Sequence, residues 1–172
     1  MHAAVTLIIE QDLARITIDN SQRANSLTQP MLGELREHIA TVAGSPGVRA
    51  VIVTGAGENF CAGLDITGIR AGDPHSIEHE YVAVVKALAE CPKPTVAAIR
   101  GNCIGGGTQL AVACDLRIAA DTAKFAITPA KLGLVYPPDS IERLTGVVGP
   151  AAAKRLLFTT DPITASTALH YG

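Results

Sequence analysis

Apolar positions along this chain change their spacing from one segment to the next, and the changes mark its elements. Val5 to Ile9 and Ala14 to Asp19 have the length and composition of strands, with Gln11 and Asp12 between them, which predicts an antiparallel hairpin. Met31, Leu32, Leu35, Ile39 and Val42 follow helical spacing, predicting a helix over Thr28 to Val42. Thr28 can cap it, Pro30 suits its first turn, and Gly44-Ser45-Pro46-Gly47 stops it. Val48 to Thr54 and Thr95 to Ile99 read as buried strands. A second helix, Ser76 to Glu90, places Ile77, Tyr81, Val84, Val85 and Leu88 on one side, and a third spans Gly107 to Cys114. Leu116 to Ala119 and Lys124 to Ile127 are strands, followed by helices over Ser140 to Val148 and Ala151 to Thr159. Ile163 to Tyr171 begins another helical pattern. Repeated strand–helix units point to an α/β fold, with a mostly parallel sheet covered by helices.

Composition narrows the function classes. The 172 residues suit a single domain over 1–172, and a hydrophobic content of 48% excludes disorder. A net charge of −2 offers no basis for binding nucleic acid or an anionic membrane. No apolar run is long enough to span a bilayer, and Met1-His2-Ala3-Ala4 does not open a signal peptide, so a cytoplasmic location is expected. Cys61, Cys91, Cys103 and Cys114 lie in apolar or Gly-rich segments without metal-ligand spacing, and are read as reduced thiols. The polar stretch Thr67 to Ser76 is the best candidate for a mobile loop. His75 and His79 are four apart, but without a third ligand they read as solvated side chains.

Two glycine motifs carry the chemistry. Gly105-Gly106-Gly107 stands directly before an apolar helical pattern. Glycine lets backbone approach a ligand closely, and a helix start adds unpaired N–H groups and a positive dipole end. Gly55-Ala56-Gly57-Glu58-Asn59-Phe60-Cys61-Ala62-Gly63-Leu64-Asp65-Ile66 follows the apolar run Ala50 to Thr54. Either motif alone also fits a tight turn. Together they can aim two backbone donors at one carbonyl oxygen.

The ordered set of motifs resembles the crotonase (enoyl-CoA hydratase/isomerase) superfamily. Arg23-Ala24-Asn25-Ser26-Leu27 is similar to an early CoA-contact motif, and Phe60 to Ile66 to a first oxyanion segment. Pro92 to Gly101 leads into a second oxyanion segment, with Cys114 to Ala119 and Phe125 to Gly133 following in order. The resemblance implies a spiral of stacked ββα units. It implies a CoA thioester as substrate, CoA entering as part of that substrate, with no separate cofactor and no metal. The carbonyl would sit between the N–H groups of Leu64 and Gly106. Ala24, Ala62 and Ile66 would contact the CoA portion, with Ser26 and Asp65 beside them, and Arg23 would meet its phosphates. The Asp65 carboxylate is also suited to capping the following turn. Family members carry a further C-terminal helical region, which would be missing from 1–172, and assemble as homotrimers or dimers of trimers.

The positions that move protons depart from the hydratase pattern. Hydratases of the family use two glutamates, and the matching positions here are Gln109 and Pro129. Gln109 can orient water but not ionise, and Pro129 can do neither. General acid–base catalysis contributes roughly 10²–10⁴-fold, so ordinary hydratase activity should be severely weakened. Phe125 to Tyr136 instead resembles the Thr-Pro…Leu-Gly…Tyr segment of methylmalonyl-CoA decarboxylase-like members, and Phe158 to Ala165 is similar too. Decarboxylation needs no base, and Tyr136 can orient a carboxylate or deliver a proton; as a half-buried core residue it would do neither. Such decarboxylases carry a His where this chain has Leu64. Asp139 and Glu142, after Pro137-Pro138, fit a capping box with Asp139 as N-cap. Lys131 is expected to face solvent, and Thr128 can hold a water. Three functions remain open: a thioester-enolate enzyme with decarboxylase-like chemistry, a weak enoyl-CoA hydratase of fatty-acid metabolism using Gln109 and water, or an acyl-CoA binder without turnover.

Overall fold

A computed structural model describes residues 3–65 and 74–172. The expected hairpin forms from β1 (Ala4–Glu10) and β2 (Leu13–Asp19), paired antiparallel with Val5 opposite Ile18. Gln11 takes positive φ in the turn between them. Helix α1 (Gln29–Gly44) buries Met31, Leu32, Leu35, Ile39 and Val42, the stripe its spacing marks. Thr28 stands at its N-cap without a side-chain bond. Next come β3 (Ala50–Gly55), α2 (Pro74–Ala89), β4 (Thr95–Ile99), β5 (Asn102–Ile104) and α3 (Gly106–Ala113). After them follow β6 (Leu116–Ala119), β7 (Lys124–Ala126), α4 (Pro138–Thr159), β8 (Ile163–Thr164) and α5 (Ala165–Tyr171).

The strands divide between two sheets. One has the order β1-β2-β3-β4-β6, parallel except for the hairpin; the other is β5-β7-β8. Successive strand pairs split between them: β4 joins the first sheet and β5 the second, then β6 the first and β7 the second. Cys61 extends the second layer through a parallel bridge to Cys103, and Leu64 bridges Leu27. After the β1–β2 hairpin, each circuit thus lays a strand in the first layer and a strand or bridge in the second before the chain returns. This is the stacked ββα spiral that the resemblance implies. In β2 the alternate residues Ala14, Ile16 and Ile18 are fully buried, facing a core with Leu35, Val53, Phe60 and Leu110.

Two expectations change. The helix expected from Ser76 starts at Pro74, so only 67–73 of the candidate loop remain, outside the described residues. Both helical segments expected near the end of the chain form within α4, separated where Gly149 breaks the backbone at φ 76°, ψ 162°, ahead of Pro150. The capping box is absent: Pro137 takes the N-cap, and Asp139 lies inside the first turn without a capping bond. Two consecutive prolines pre-set φ for a helical start, which moves the boundary before Asp139.

Candidate active site

A cavity of about 650 Å³ opens where the two glycine motifs meet α2 and the segment 128–137. Its backbone wall is Gly63-Leu64 on one side and Gly105-Gly106 on the other. These segments touch. Gly63 has φ +93°, and a Cβ built there would lie 2.9 Å from Gly106 N and 3.6 Å from Gly106 Cα. Gly107 faces away from the cavity, its Cα against the Cys61 backbone so closely that a Cβ would overlap the Cys61 carbonyl. Both glycines are therefore required by contact, and Gly63 by its conformation as well.

Neighbouring hydrogen bonds fix this wall while leaving two donors unused. Leu27 N donates to Gly63 O at 2.8 Å, and Asp65 N to Leu27 O at 2.9 Å. Gly63 N is 3.3 Å from the Cys61 sulfur. Gly105 N donates to Ala126 O at 2.8 Å. Among the described residues, the N–H groups of Leu64 and Gly106 have no acceptor within the protein. Gly106 opens α3, where the geometry of a helix start leaves the first amides unpaired. Two unpaired amides on adjoining backbone at a cavity wall can polarise one oxygen atom.

The side-chain wall has a different character. Gln109 is wholly buried, and neither its amide nitrogen nor its amide oxygen has a protein partner. The Tyr136 hydroxyl is likewise buried without a partner, although the residue as a whole is half-buried. Thr128 Oγ1 lies close to Gly105, 3.1 Å from where a Cβ would stand there. Pro129 also lines this wall, so Gln109 and Pro129, the positions the resemblance matches to hydratase glutamates, share the cavity. Burial raises the Tyr136 phenol above its ordinary range, with the Cys103 thiol adding to the shift, so it is a protonated donor at neutral pH. Cys61, beneath the wall, is pushed up to about 12 by burial, against a bond from Gly63 that lowers it. It is a packing thiol rather than a nucleophile.

Of the residues singled out from sequence, Arg23, Ser26, Ala62, Leu64, Asp65, Gly106, Gln109 and Tyr136 all line this one cavity. Ala24 does not; its carbonyl accepts the Ala62 N–H at 2.9 Å and sets that segment's path. Ile66 lies outside the described residues. The Asp65 carboxylate accepts from Arg23 at 2.7 Å, the acid nearly buried and the arginine 56% exposed. This pairing binds the Arg23 loop to the first glycine motif. Asn25, centre of the early motif, is fully buried and not in the cavity wall. Its amide donates to Ala56 O and Asn59 O at 2.9 and 2.7 Å, so it staples the loop to the turn after β3. Lys131 is exposed, as expected, at the rim beside exposed Leu132, Leu134 and Val135.

Sequence reasoning missed the contribution of α2. Ile77, Glu78, Tyr81 and Val82 line the cavity, Glu78 from an exposed position. Tyr81 belongs to the helix's apolar stripe, and nothing in its spacing separates a core tyrosine from a cavity one. Ser140, buried at the start of α4, was missed for the same reason. Among the described residues, no group of three or more His, Cys, Asp and Glu is placed to hold a metal ion. Among them, too, no helix is long and apolar enough to cross a membrane.

Comparison with known proteins agrees with this architecture. The Enoyl-CoA hydratase/isomerase family profile matches residues 8–172. A Mycobacterium tuberculosis protein named Probable enoyl-CoA hydratase EchA14 is 36% identical over 171 residues, covering 98% of this chain and 67% of the relative. Crotonyl-CoA hydratase of Syntrophomonas wolfei is 34% identical over 170 residues, covering 95% of this chain and 64% of the relative. The crystal structure of an enoyl-CoA hydratase/isomerase family protein from Hyphomonas neptunium superposes with a TM-score of 0.93 at 37% identity, covering 98% of this chain and 66% of that one. The chain thus spans about two thirds of the length of these relatives. On its sequence, its two-layered spiral and its paired glycine walls, the chain belongs to the enoyl-CoA hydratase/isomerase family.

Proposed function

We propose that the protein processes acyl-CoA thioesters through an enolate, and that its favoured reaction is loss of carbon dioxide from a thioester bearing a carboxylate on its α-carbon. The observation that carries this reading is the side-chain wall: neutral Gln109, Thr128, Pro129 and Tyr136 face the cavity where a hydratase needs ionisable groups. In the step proposed, the bond between the α-carbon and the carboxylate breaks and its electron pair enters the thioester. The charge that develops on the carbonyl oxygen is held by the Leu64 and Gly106 amides, each such donor contributing about 3 kcal/mol. A proton then reaches the α-carbon from Tyr136 or from water, and solvent restores the tyrosine. A carboxylate surrounded by neutral groups is poorly solvated, which favours its departure. Arg23 and Ser26, which line the cavity, suit the CoA portion, with Ala24, Ala62, Asp65 and Ile66 beside it, and Arg23 suits its phosphates.

A hydratase reading has its own support. The relatives described above carry hydratase names, and the unpartnered Gln109 amide is able to orient a water. Acyl-CoA binding without turnover is the remaining alternative. Incubation with methylmalonyl-CoA and crotonyl-CoA, with products read by mass, separates the three. Loss of carbon dioxide from the first supports the favoured reading. Gain of water on the second transfers the role to Gln109. Binding of both without conversion selects the binder.

A further inference from the structure

We propose that Tyr81 is a positioning residue for the Gly106 N–H, and hence for polarisation of the thioester carbonyl; this rests on the reading of Leu64 and Gly106 as the carbonyl's donors. Tyr81 comes from α2, 25 residues before the glycine it meets. Its hydroxyl donates to Gly106 O at 2.6 Å, at the short end of the range for an O–H···O bond. A Cβ built on Gly106 would meet both Tyr81 Cζ and Oη at 3.1 Å, so the phenol tip fills the space where any other residue would carry its side chain.

Gly106 needs such a constraint. Glycine has the widest backbone freedom, and the first residue of a helix has no preceding turn to hold its amide. The segment is pinned on one side by the Gly105 N–H bond to Ala126 and on the other by the contact of Gly107 with Cys61. Between these, the Gly105 carbonyl, on the same peptide as the Gly106 N–H, accepts from Gln109 N at 3.2 Å, and Tyr81 adds a bond to the Gly106 carbonyl on the following peptide. Burial raises the phenol well above its ordinary range, so the hydroxyl remains a donor throughout neutral pH. Through this bond α2 fixes the Gly106–Gly107 peptide, and through the Gly106 Cα it limits how far the N–H on the other side can turn.

The test uses cinnamoyl-CoA, a conjugated thioester whose absorption moves to longer wavelength as its carbonyl is polarised. In the full-length protein, the red shift on binding is expected to fall by about half or more in Tyr81→Phe, with affinity kept within about threefold, since the ring remains and only one bond is lost. A ring-fluorinated tyrosine at position 81, a stronger donor, is expected to enlarge the shift, which a packing role would not do. An unchanged shift in Tyr81→Phe, when the parent protein shows one, overturns the proposal and leaves the two donors standing. No shift in the parent overturns both. If Tyr81→Phe does not fold, the fluorinated protein decides, and an unchanged shift there is fatal to the proposal.

Discussion

The wall formed by Gly63, Leu64, Gly105 and Gly106 and the wall formed by Gln109, Thr128 and Tyr136 differ in what carries their polarity. The first is backbone: its amides are aimed by glycine contacts and by bonds to Leu27 and Ala126, so chemistry is insensitive to which side chain follows. The second is side chain: its polar atoms at Gln109 and Tyr136 are buried with no protein partner, so its polarity depends on which side chains stand there. Buried unpartnered polar groups are destabilising, and where they persist at a cavity they mark a site shaped for a ligand rather than for stability. One wall can thus be common to many reactions of a family while the other selects among them.

The sharpest way to break this comparison is at Gly63. An alanine there must adopt φ +93° and place its methyl 2.9 Å from Gly106 N. Positive φ and overpacking together cost about 3 kcal/mol, so Gly63→Ala is expected to lower the chemical-denaturation midpoint and abolish acyl-CoA binding. Binding at parental affinity would mean the two glycine segments are not the donor wall. On the opposite wall, Tyr136→Phe is expected to slow carbon dioxide release from methylmalonyl-CoA by roughly 10²-fold while leaving affinity for an unreactive acyl-CoA unchanged. Equal turnover in the two proteins would return Tyr136 to the ordinary half-buried core.

Gln109→Leu sharpens the contrast by separating stability from function. It removes two unpartnered polar atoms from a wholly buried site, so the fold is expected to gain about 1 kcal/mol while turnover falls. Denaturation and product mass, measured on one preparation, check both halves. Loss of stability would show that the amide is satisfied in solution. Alkaline titration addresses the packing under the first wall. Cys61 loses its proton near 9.0 in the unfolded chain but at about 12 when folded. Between those values the native state holds the extra proton, so this group's contribution to stability is lost as pH rises from 9.0 towards 12. Cys61→Ala should flatten that part of the stability curve. The smallest effect is expected at Leu64→Ala: a change of less than about threefold in carbonyl polarisation, read from the cinnamoyl-CoA shift, because the donor is the amide and not the leucine.

Much of this molecule was legible from residue order because local rules suffice for it. The α1 stripe, the parallel strands Thr95–Ile99 and Leu116–Ala119, and the glycine motifs follow from periodicity and from the limits on glycine-free turns. That Gln109 and Pro129 carry no ionisable group was visible as well. Where local rules compete, the reading slipped. Asp139 looks like a cap, but Pro137-Pro138 starts the helix earlier. Ala24 is expected to contact the CoA portion, but it lies outside the cavity, its carbonyl bound to the Ala62 N–H.

What sequence alone determined is therefore the family resemblance, the elements and the candidates for the backbone donors, all of which are encoded in short segments. Tertiary structure alone decided which of those candidates share a cavity, that Arg23 is engaged by Asp65, and that α2 supplies Tyr81 to the Gly106 carbonyl. The reason is physical. Helical spacing says that Tyr81 is buried, whereas its neighbour across the core depends on how a helix from one turn of the spiral packs on the next, which no local pattern contains.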